Sequence, residues 1–234
     1  MSDTGPLARR LAAEALGSAL LTATVVGSGI MAARLAGGDE ALALLCNAVA
    51  TAAILVVIVT VFAPLSGAHF NPAVSVVFAV RGALTRGDLA AYVVAQCLGA
   101  IAGVVVAHLM FDLAPLTLGA HRRTGMSQWL SEIVATFSLV LAILGGLRHA
   151  PGALPWLVGL VIGAAYWFTA STSFANPAVT LARGLTVTFS GIAIGDVPGF
   201  VVAEIVGALL AAAAGGWLFA DRRRTPAKPA STPT

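Results

Sequence analysis

The tetrapeptide Asn-Pro-Ala-Val occurs twice in the sequence, within SGAHFNPAV at residues 66–74 and within FANPAV at residues 174–179. Asparagine is a preferred helix N-cap, and proline is preferred at the first helical position because its missing N–H is one of the donors that a helix start leaves unpaired. Each copy therefore predicts a helix that begins at its proline. The apolar segments that follow, 71–80 and 176–186, are about ten residues long and would cross about half a membrane at about 1.5 Å per residue.

The rest of the chain has the composition of a membrane protein. Of its 234 residues, 59% are hydrophobic and only 10% are charged, whereas an average soluble domain carries about 25% charged residues. Six further apolar segments are long enough to span a bilayer, since roughly 20 helical residues cross its hydrocarbon core. These segments are residues 11–33, 41–62, 88–111, 127–148, 154–172 and 197–219. The first is too long for the apolar region of a cleavable signal peptide, so it is interpreted as the first span.

The two halves of the chain repeat each other. Glu14 in the first apolar segment corresponds to Glu132 in the fourth, and Gln96 in the third corresponds to Glu204 in the sixth. Because each half contains three spans, the halves must enter the membrane from opposite sides, as in an inverted repeat. The sequence therefore predicts an all-α membrane protein with six transmembrane helices and two re-entrant half-helices. Its predicted parts are a cytoplasmic N-terminus (1–10), a channel domain (11–219, with repeats at about 11–111 and 127–219) and a disordered cytoplasmic tail (220–234).

Two inverted half-helices would bring their N-termini together near the middle of the membrane. The positive ends of their dipoles would oppose any cation, hydronium included, and would affect neutral molecules less. The amides of Asn71 and Asn176 would offer N–H donors to the lumen, and the non-helical stretches 66–70 and 172–175 would offer carbonyl acceptors. A single Asn-Pro pair is also compatible with an ordinary loop turn, but two copies at matching positions of a repeat favour a pore.

Both motifs and the repeated glutamates resemble the signatures of the aquaporin, or major intrinsic protein, family over residues from about 11 to 218. The resemblance implies the aquaporin fold and a homotetramer with one pore in each subunit. It also implies that the two asparagines are the central donors of the pore, within the NPA motifs formed by Asn71, Pro72, Ala73, Asn176, Pro177 and Ala178.

The resemblance implies roles for three more residues. In the family, glutamates at the positions of Glu14 and Glu132 accept hydrogen bonds from the backbone of the re-entrant loops. The alternative is that these side chains, early in their helices, simply face lipid headgroups. His69 matches a family histidine in the inner half of the pore, and a purely structural histidine is the alternative.

The sequence departs from the family pattern at the outer constriction, the selectivity filter. Water-selective and glycerol-conducting members carry an arginine directly after the second NPA motif, where this chain has Val179. Counted from the motif asparagines, the other filter positions match Thr51, Ala164 and Ser173. None of these four residues is aromatic or charged, which predicts a wide, arginine-free filter. Arg183 follows four residues later and is interpreted as a packing or interface arginine.

A wide filter predicts passage of polyols such as glycerol or of larger neutral metalloid hydroxides. The pattern resembles a bacterial aquaglyceroporin branch linked to arsenic resistance, whose members conduct arsenite or methylated arsenicals. A secondary transporter coupled to an ion is the alternative, because inverted repeats suit it as well. It would need an ionisable residue deep in the membrane, and the chain offers mainly residues that loop bracing would occupy, Glu14, Glu132 and Glu204. No motif in the sequence indicates an enzyme, a cofactor or a metal site.

The basic residues of the connecting segments indicate the orientation. Nine lie on the side of the chain ends: Arg9, Arg10, Arg81, Arg86, Arg148, Arg222, Arg223, Arg224 and Lys228. Four lie on the other side: Arg34, Arg122, Arg123 and Arg183. The positive-inside rule therefore predicts a multi-pass protein of the plasma (inner) membrane with both termini in the cytoplasm. The basic residues do not form one polar face, so the expected partners are small neutral solutes and the lipid bilayer, and no nucleic acid.

Overall fold

The computed structural model describes residues 5–220, which form helices joined by loops. Six of these helices are long and apolar enough to cross a membrane, and two are short. The helices are α1 (Leu7–Leu35), α2 (Glu40–Ser66), α3 (Pro72–Val80), α4 (Arg86–Met110), α5 (Met126–His149), α6 (Leu154–Phe168), α7 (Pro177–Arg183) and α8 (Val197–Leu218). One-turn 3₁₀ helices precede α6 and α8, at Pro151–Ala153 and Ile194–Asp196. The six spans and the two half-helices are confirmed, whereas the predicted disordered tail lies outside the described residues apart from Ala220.

The ends of two spans differ from the prediction. Helix α2 continues to Ser66 and contains Pro64, and it ends where Gly67 adopts a φ of 90°. Helix α6 ends at Phe168, because residues 169–175 form the loop that leads into α7. An apolar loop and an apolar helix have the same hydrophobicity, so the apolar pattern alone places neither boundary.

The two halves pack in the same way. Helix α1 packs against α4 and α5 packs against α8, and each pair approaches closely at a glycine. A Cβ atom on Gly99 would overlap the backbone carbonyl of Ala15, and one on Gly207 would overlap that of Ile133. Small residues permit such close approach between membrane helices. The close contact brings the polar side chains of these helices together in the protein interior.

The two half-helices meet end to end at their N-termini. The Asn71 side-chain amide donates to the carbonyl of Ala175 at 2.7 Å, and the Asn176 amide donates to the carbonyl of Phe70 at 2.8 Å. From this meeting point α3 runs back to the membrane side where α1 begins, and α7 runs to the opposite side. We call these the near side, where residues 5 and 220 lie, and the far side.

Candidate functional site: a pore along the half-helices

A cavity of about 260 Å³ runs between the helices past both NPA motifs. Much of its wall is apolar and comes from one face of each of α1, α2, α5 and α6, formed by Leu21, Val25, Leu55, Val59, Leu139, Ile143, Val158 and Ile162. Loop residues 67–70 and 173–175 contribute polar backbone groups. The half-helices contribute Asn71, Val74, Phe78, Asn176, Val179 and Arg183. Among the described residues that line the cavity, none is acidic.

The two loops that enter the cavity share an unusual backbone conformation. At four, three and one residues before each motif asparagine φ is positive, at Gly67, Ala68, Phe70, Thr172, Ser173 and Ala175. Five of these six are not glycine, and the left-handed region costs such residues roughly 1–2 kcal/mol each. Backbone of this kind cannot pair its N–H groups within a helix, so the loops need acceptors from elsewhere.

Glu14 supplies the acceptors for the first loop. Its carboxylate accepts from the backbone N–H groups of His69 at 3.0 Å and Phe70 at 2.7 Å, and from the hydroxyl of Ser66 at 2.6 Å. The amide of Gln96 donates to the same carboxylate at 2.8 Å. Glu14 is fully buried behind the loop, away from any headgroup position. These contacts are the geometry that a loop-bracing role requires.

Two carboxylates support the second loop. Glu132 accepts from the backbone N–H groups of Phe174 at 3.0 Å and Ala175 at 2.7 Å. Glu204 accepts from the backbone N–H of Asn176 at 3.1 Å. The second oxygen of Glu204 is buried and has no hydrogen-bond partner among the described residues. The second loop is therefore held by two acidic side chains, whereas the first is held by Glu14 alone, and Gln96 donates to Glu14 rather than to the loop.

Each motif asparagine both caps its half-helix and faces the cavity. The side-chain oxygen of Asn71 accepts from the N–H of Ala73 at 2.9 Å, and that of Asn176 accepts from the N–H of Ala178 at 3.0 Å. One amide N–H of each asparagine bonds to the opposite loop, and each amide carries a second N–H. Because both side chains line the cavity, this second donor is available to a solute.

His69 lines the cavity and is also held by the protein. Its Nδ1 lies 3.0 Å from the hydroxyl of Ser75, and its ring centroid lies 4.4 Å from that of Phe78. The side chain is only 8% exposed. The structure therefore combines in His69 the pore-lining and the structural positions that the sequence left as alternatives.

Of the four residues predicted for the filter, three lie on the cavity, namely Thr51, Ser173 and Val179. Ala164 does not line it and is exposed on the outer surface of α6. The cavity face of α6 includes Ile162 and Tyr166. Ala164 lies two residues from each of them and therefore points about 200° around the helix, towards the outside. The prediction for Ala164 is wrong.

Three large side chains at the far end of the cavity lie outside the predicted filter, and they are Tyr166, Phe174 and Arg183. The hydroxyl of Tyr166 is 3.2 Å from that of Thr51. The four predicted positions themselves carry neither an aromatic nor a charged residue, and the position directly after the second NPA motif is a valine, but these three larger side chains also line the cavity. Helical spacing carries the missing signal, because Tyr166 continues a four-residue spacing from Leu154.

Basic residues surround the far mouth. Asp196 accepts from the backbone N–H of Arg123 at 2.8 Å and pairs with the Arg122 guanidinium at 3.3 Å. Burial lowers the pKa of His121 below its ordinary value, and the positive charges of Arg123 and Arg183 lower it further. At neutral pH the positive charge at this mouth is therefore carried by arginines.

The geometry defines the class of protein. Six spans enclose a cavity, and two half-helices from opposite sides of the membrane meet on that cavity with their N-termini. Non-helical backbone at this depth is tolerated only where it is buried in protein or lines a water-filled space. This arrangement is that of a membrane channel.

The chain belongs to the major intrinsic protein family, whose family model matches residues 1–167. It is 64% identical over 217 residues to aquaglyceroporin AqpS of Rhizobium meliloti (strain 1021), covering 93% of each chain. It is 38% identical over 175 residues to aquaporin TIP4-4 of Zea mays, covering 70% of this chain and 68% of that protein. The fold is shared with the X-ray structure of the aquaglyceroporin from Plasmodium falciparum, with a TM-score of 0.70 and 22% identity over 89% of this chain and 95% of that chain. The protein is therefore a passive channel and not an enzyme.

Proposed function

We propose that this channel conducts water, polyols such as glycerol, and neutral metalloid hydroxides such as arsenite or methylated arsenicals. The observation that carries the proposal is the meeting of two half-helix N-termini on a cavity whose described lining contains no acidic residue. The positive helix ends raise the energy of a cation at that point. Amide donors and backbone acceptors beside an apolar wall suit small uncharged molecules that carry hydroxyl groups.

The residue after the second NPA motif supports solutes larger than water. Val179 lines the cavity and brings neither the length nor the charge of a guanidinium to this level of the pore. The name of the relative AqpS, an aquaglyceroporin, agrees with a polyol-conducting pore. The proposal for arsenicals follows from the likeness of the Val179 filter to the arsenic-linked branch.

Passive flow is favoured over ion-coupled transport by the positions of the acidic side chains. Glu14, Glu132 and Glu204 hydrogen-bond the two loops from behind, and none of them lines the cavity. A coupled transporter needs an ionisable group where the driving ion passes.

We further propose that the channel domain, residues 11–219, forms a homotetramer in the plasma membrane with both termini in the cytoplasm. Large apolar side chains on the outer surface, such as Leu98, Leu160 and Trp217, suit contact with lipid or a neighbouring subunit. The excess of basic residues on the near side supports its cytoplasmic assignment. In this orientation Arg183 lies towards the outside of the cell.

The experiment is a flux panel in proteoliposomes, with protein-free liposomes as the control. Stopped-flow light scattering would follow water, glycerol, urea, arsenite and methylated arsenicals, each moving down its gradient. We expect flux of the neutral solutes that does not depend on a proton or sodium gradient. Accumulation of any of them against its gradient would refute the channel in favour of the transporter.

A further inference from the structure

Arg183 is the last residue of α7 and lies on the face of that half-helix which lines the cavity. It is seven residues from Asn176 and four from Val179, and all three line the cavity. Residues at these spacings lie on one side of an α-helix. The guanidinium is therefore a wall group at the far end of the pore.

The protein holds this guanidinium in place from two sides. Its central carbon lies 3.3 Å from the ring centroid of Phe174, so the planar group lies against the aromatic face. The Nε atom donates to the carbonyl of Ser190. Phe174 in turn packs edge to face against Phe200, with ring centroids 5.0 Å apart. Because the Nε atom and the guanidinium plane are both held, the terminal N–H donors of Arg183 have defined directions.

The terminal nitrogens of this guanidinium have no hydrogen bond to any described residue. The two ion pairs of the described residues, Arg10–Asp88 and Arg122–Asp196, do not include Arg183 either. The side chain is only 2% exposed. No carboxylate among the described residues bonds this guanidinium, and a buried cation is costly unless other polar groups solvate it. Since Arg183 lines the cavity, the groups that can reach its free donors are the contents of the pore.

We propose that Arg183 is a specificity-determining residue of this channel, which excludes cations at the far end of the pore and hydrogen-bonds the oxygen atoms of neutral solutes passing it. This role rests on the proposed passive conduction. A guanidinium offers several N–H donors and no acceptor, so it pairs with hydroxyl and carbonyl oxygens and repels cationic groups. Arg183 lies one helical turn beyond Val179, so the proposed charge is at the far end of the pore and not at the position directly after the second NPA motif.

Urea and guanidinium make a suitable pair of test solutes, because they are planar, nearly equal in size and different in charge. Wild type, Arg183→Gln, Arg183→Lys and Arg122→Gln would be reconstituted, and water, urea and guanidinium flux measured for each. Arg122→Gln is the matched control, since it removes one positive charge from the same mouth at a side chain that is 72% exposed and does not line the cavity.

We expect wild type to conduct urea and to exclude guanidinium. In Arg183→Gln the ratio of guanidinium to urea flux should rise about tenfold, because a fixed charge in a buried, poorly solvated site is weakly screened. Arg183→Lys should keep the ratio of wild type while changing the urea flux, since it keeps the charge and loses the planar donors. Arg122→Gln should match wild type in every flux.

Equal ratios in Arg183→Gln and Arg122→Gln, with water flux retained in both, would overturn the proposal. If Arg183→Gln yields no folded channel, wild type and Arg183→Lys still decide. A guanidinium flux equal to the urea flux in wild type, or a leak of guanidinium in Arg183→Lys, would overturn it. Absence of both water and urea flux in wild type would instead contradict the proposed conduction.

Discussion

The half-helices α3 and α7 are alike where they meet and different where they reach the membrane surface. Three residues after the motif asparagine, each places a valine on the cavity, Val74 in α3 and Val179 in α7. Seven residues after it, α3 places Phe78 on the cavity and α7 places Arg183. The shared residues build the centre of the pore, where the inverted repeat requires the same geometry twice. The differing residues give the near mouth an aromatic wall and the far mouth a cation.

The supports behind the two loops differ in the same way. Glu14 alone receives four donors, from Ser66, His69, Phe70 and Gln96. In the second half Glu132 and Glu204 receive two donors each, from Phe174, Ala175, Asn176 and Thr180. The first loop therefore depends on one carboxylate and the second divides the same number of donors between two.

We expect the two halves to differ most in how much folded channel remains when one of these carboxylates is removed. Glu14→Ala leaves four buried donors without an acceptor, and each such donor costs about 1–3 kcal/mol. We expect Glu14→Ala to abolish the folded channel, and Glu132→Ala to retain part of it because Glu204 still binds Asn176. Size-exclusion chromatography in detergent would measure the folded fraction. An equal loss in both variants would contradict the division of donors described above.

Substituting either motif asparagine at the centre of the pore should change cation exclusion by the same amount. Asn71→Asp and Asn176→Asp keep a helix cap, remove the amide donor to the opposite loop and add an acidic oxygen beside the cavity. We expect cation leak to rise about tenfold in each, since the carboxylate offsets the positive helix ends. A potential-sensitive dye in proteoliposomes would report the leak. A leak in only one of the two variants would show that the centre is not symmetric.

Substitutions of the paired valines, Val74 and Val179, test where along its length the pore is narrowest. We expect Val179→Arg to reduce glycerol and arsenite flux roughly tenfold while sparing water, because a guanidinium occupies part of the lumen that a valine side chain leaves open. Val74→Arg should have a smaller effect, since Val74 lies on the near side of the paired asparagines and the predicted filter lies on the far side. Val179→Leu controls for bulk without charge. Unchanged glycerol and arsenite flux in Val179→Arg would place the constriction elsewhere.

We expect the smallest effect from Glu204→Gln, which gives the second half the same pair of a glutamate and a glutamine that the first half has. In Glu204→Gln the carbonyl oxygen still accepts from Asn176, and the new amide can donate to Glu132 as Gln96 donates to Glu14. We expect flux and thermal unfolding in detergent to remain close to wild type, with a change under about 1 kcal/mol. Glu204→Leu, which removes both acceptor and donor, should be clearly less stable. Equal melting temperatures for the two variants would show that Glu204 does not support the loop.

Much of this channel could be predicted from the sequence because its decisive signals are local. Asn71-Pro72 and Asn176-Pro177 each combine a cap with a helix start, so the half-helices follow from a few neighbouring residues. The apolar segments are separated by polar connections, and their lengths are set by the membrane. The predicted position of Ala164 failed because counting back from Asn176 crosses the loop of residues 169–175, and residue spacing does not fix which face of α6 turns to the cavity.

Chain length, capping and repetition fix the number of spans, the two half-helices and their inversion without reference to distant residues, so these features follow from the sequence. Tertiary packing sets which face of α6 lines the cavity and which carboxylate holds which loop, and it brings Arg183 to the pore. These features depend on the rotation of each helix against its neighbours. That rotation is set by contacts such as those of Gly99 and Gly207, which join residues far apart in the chain.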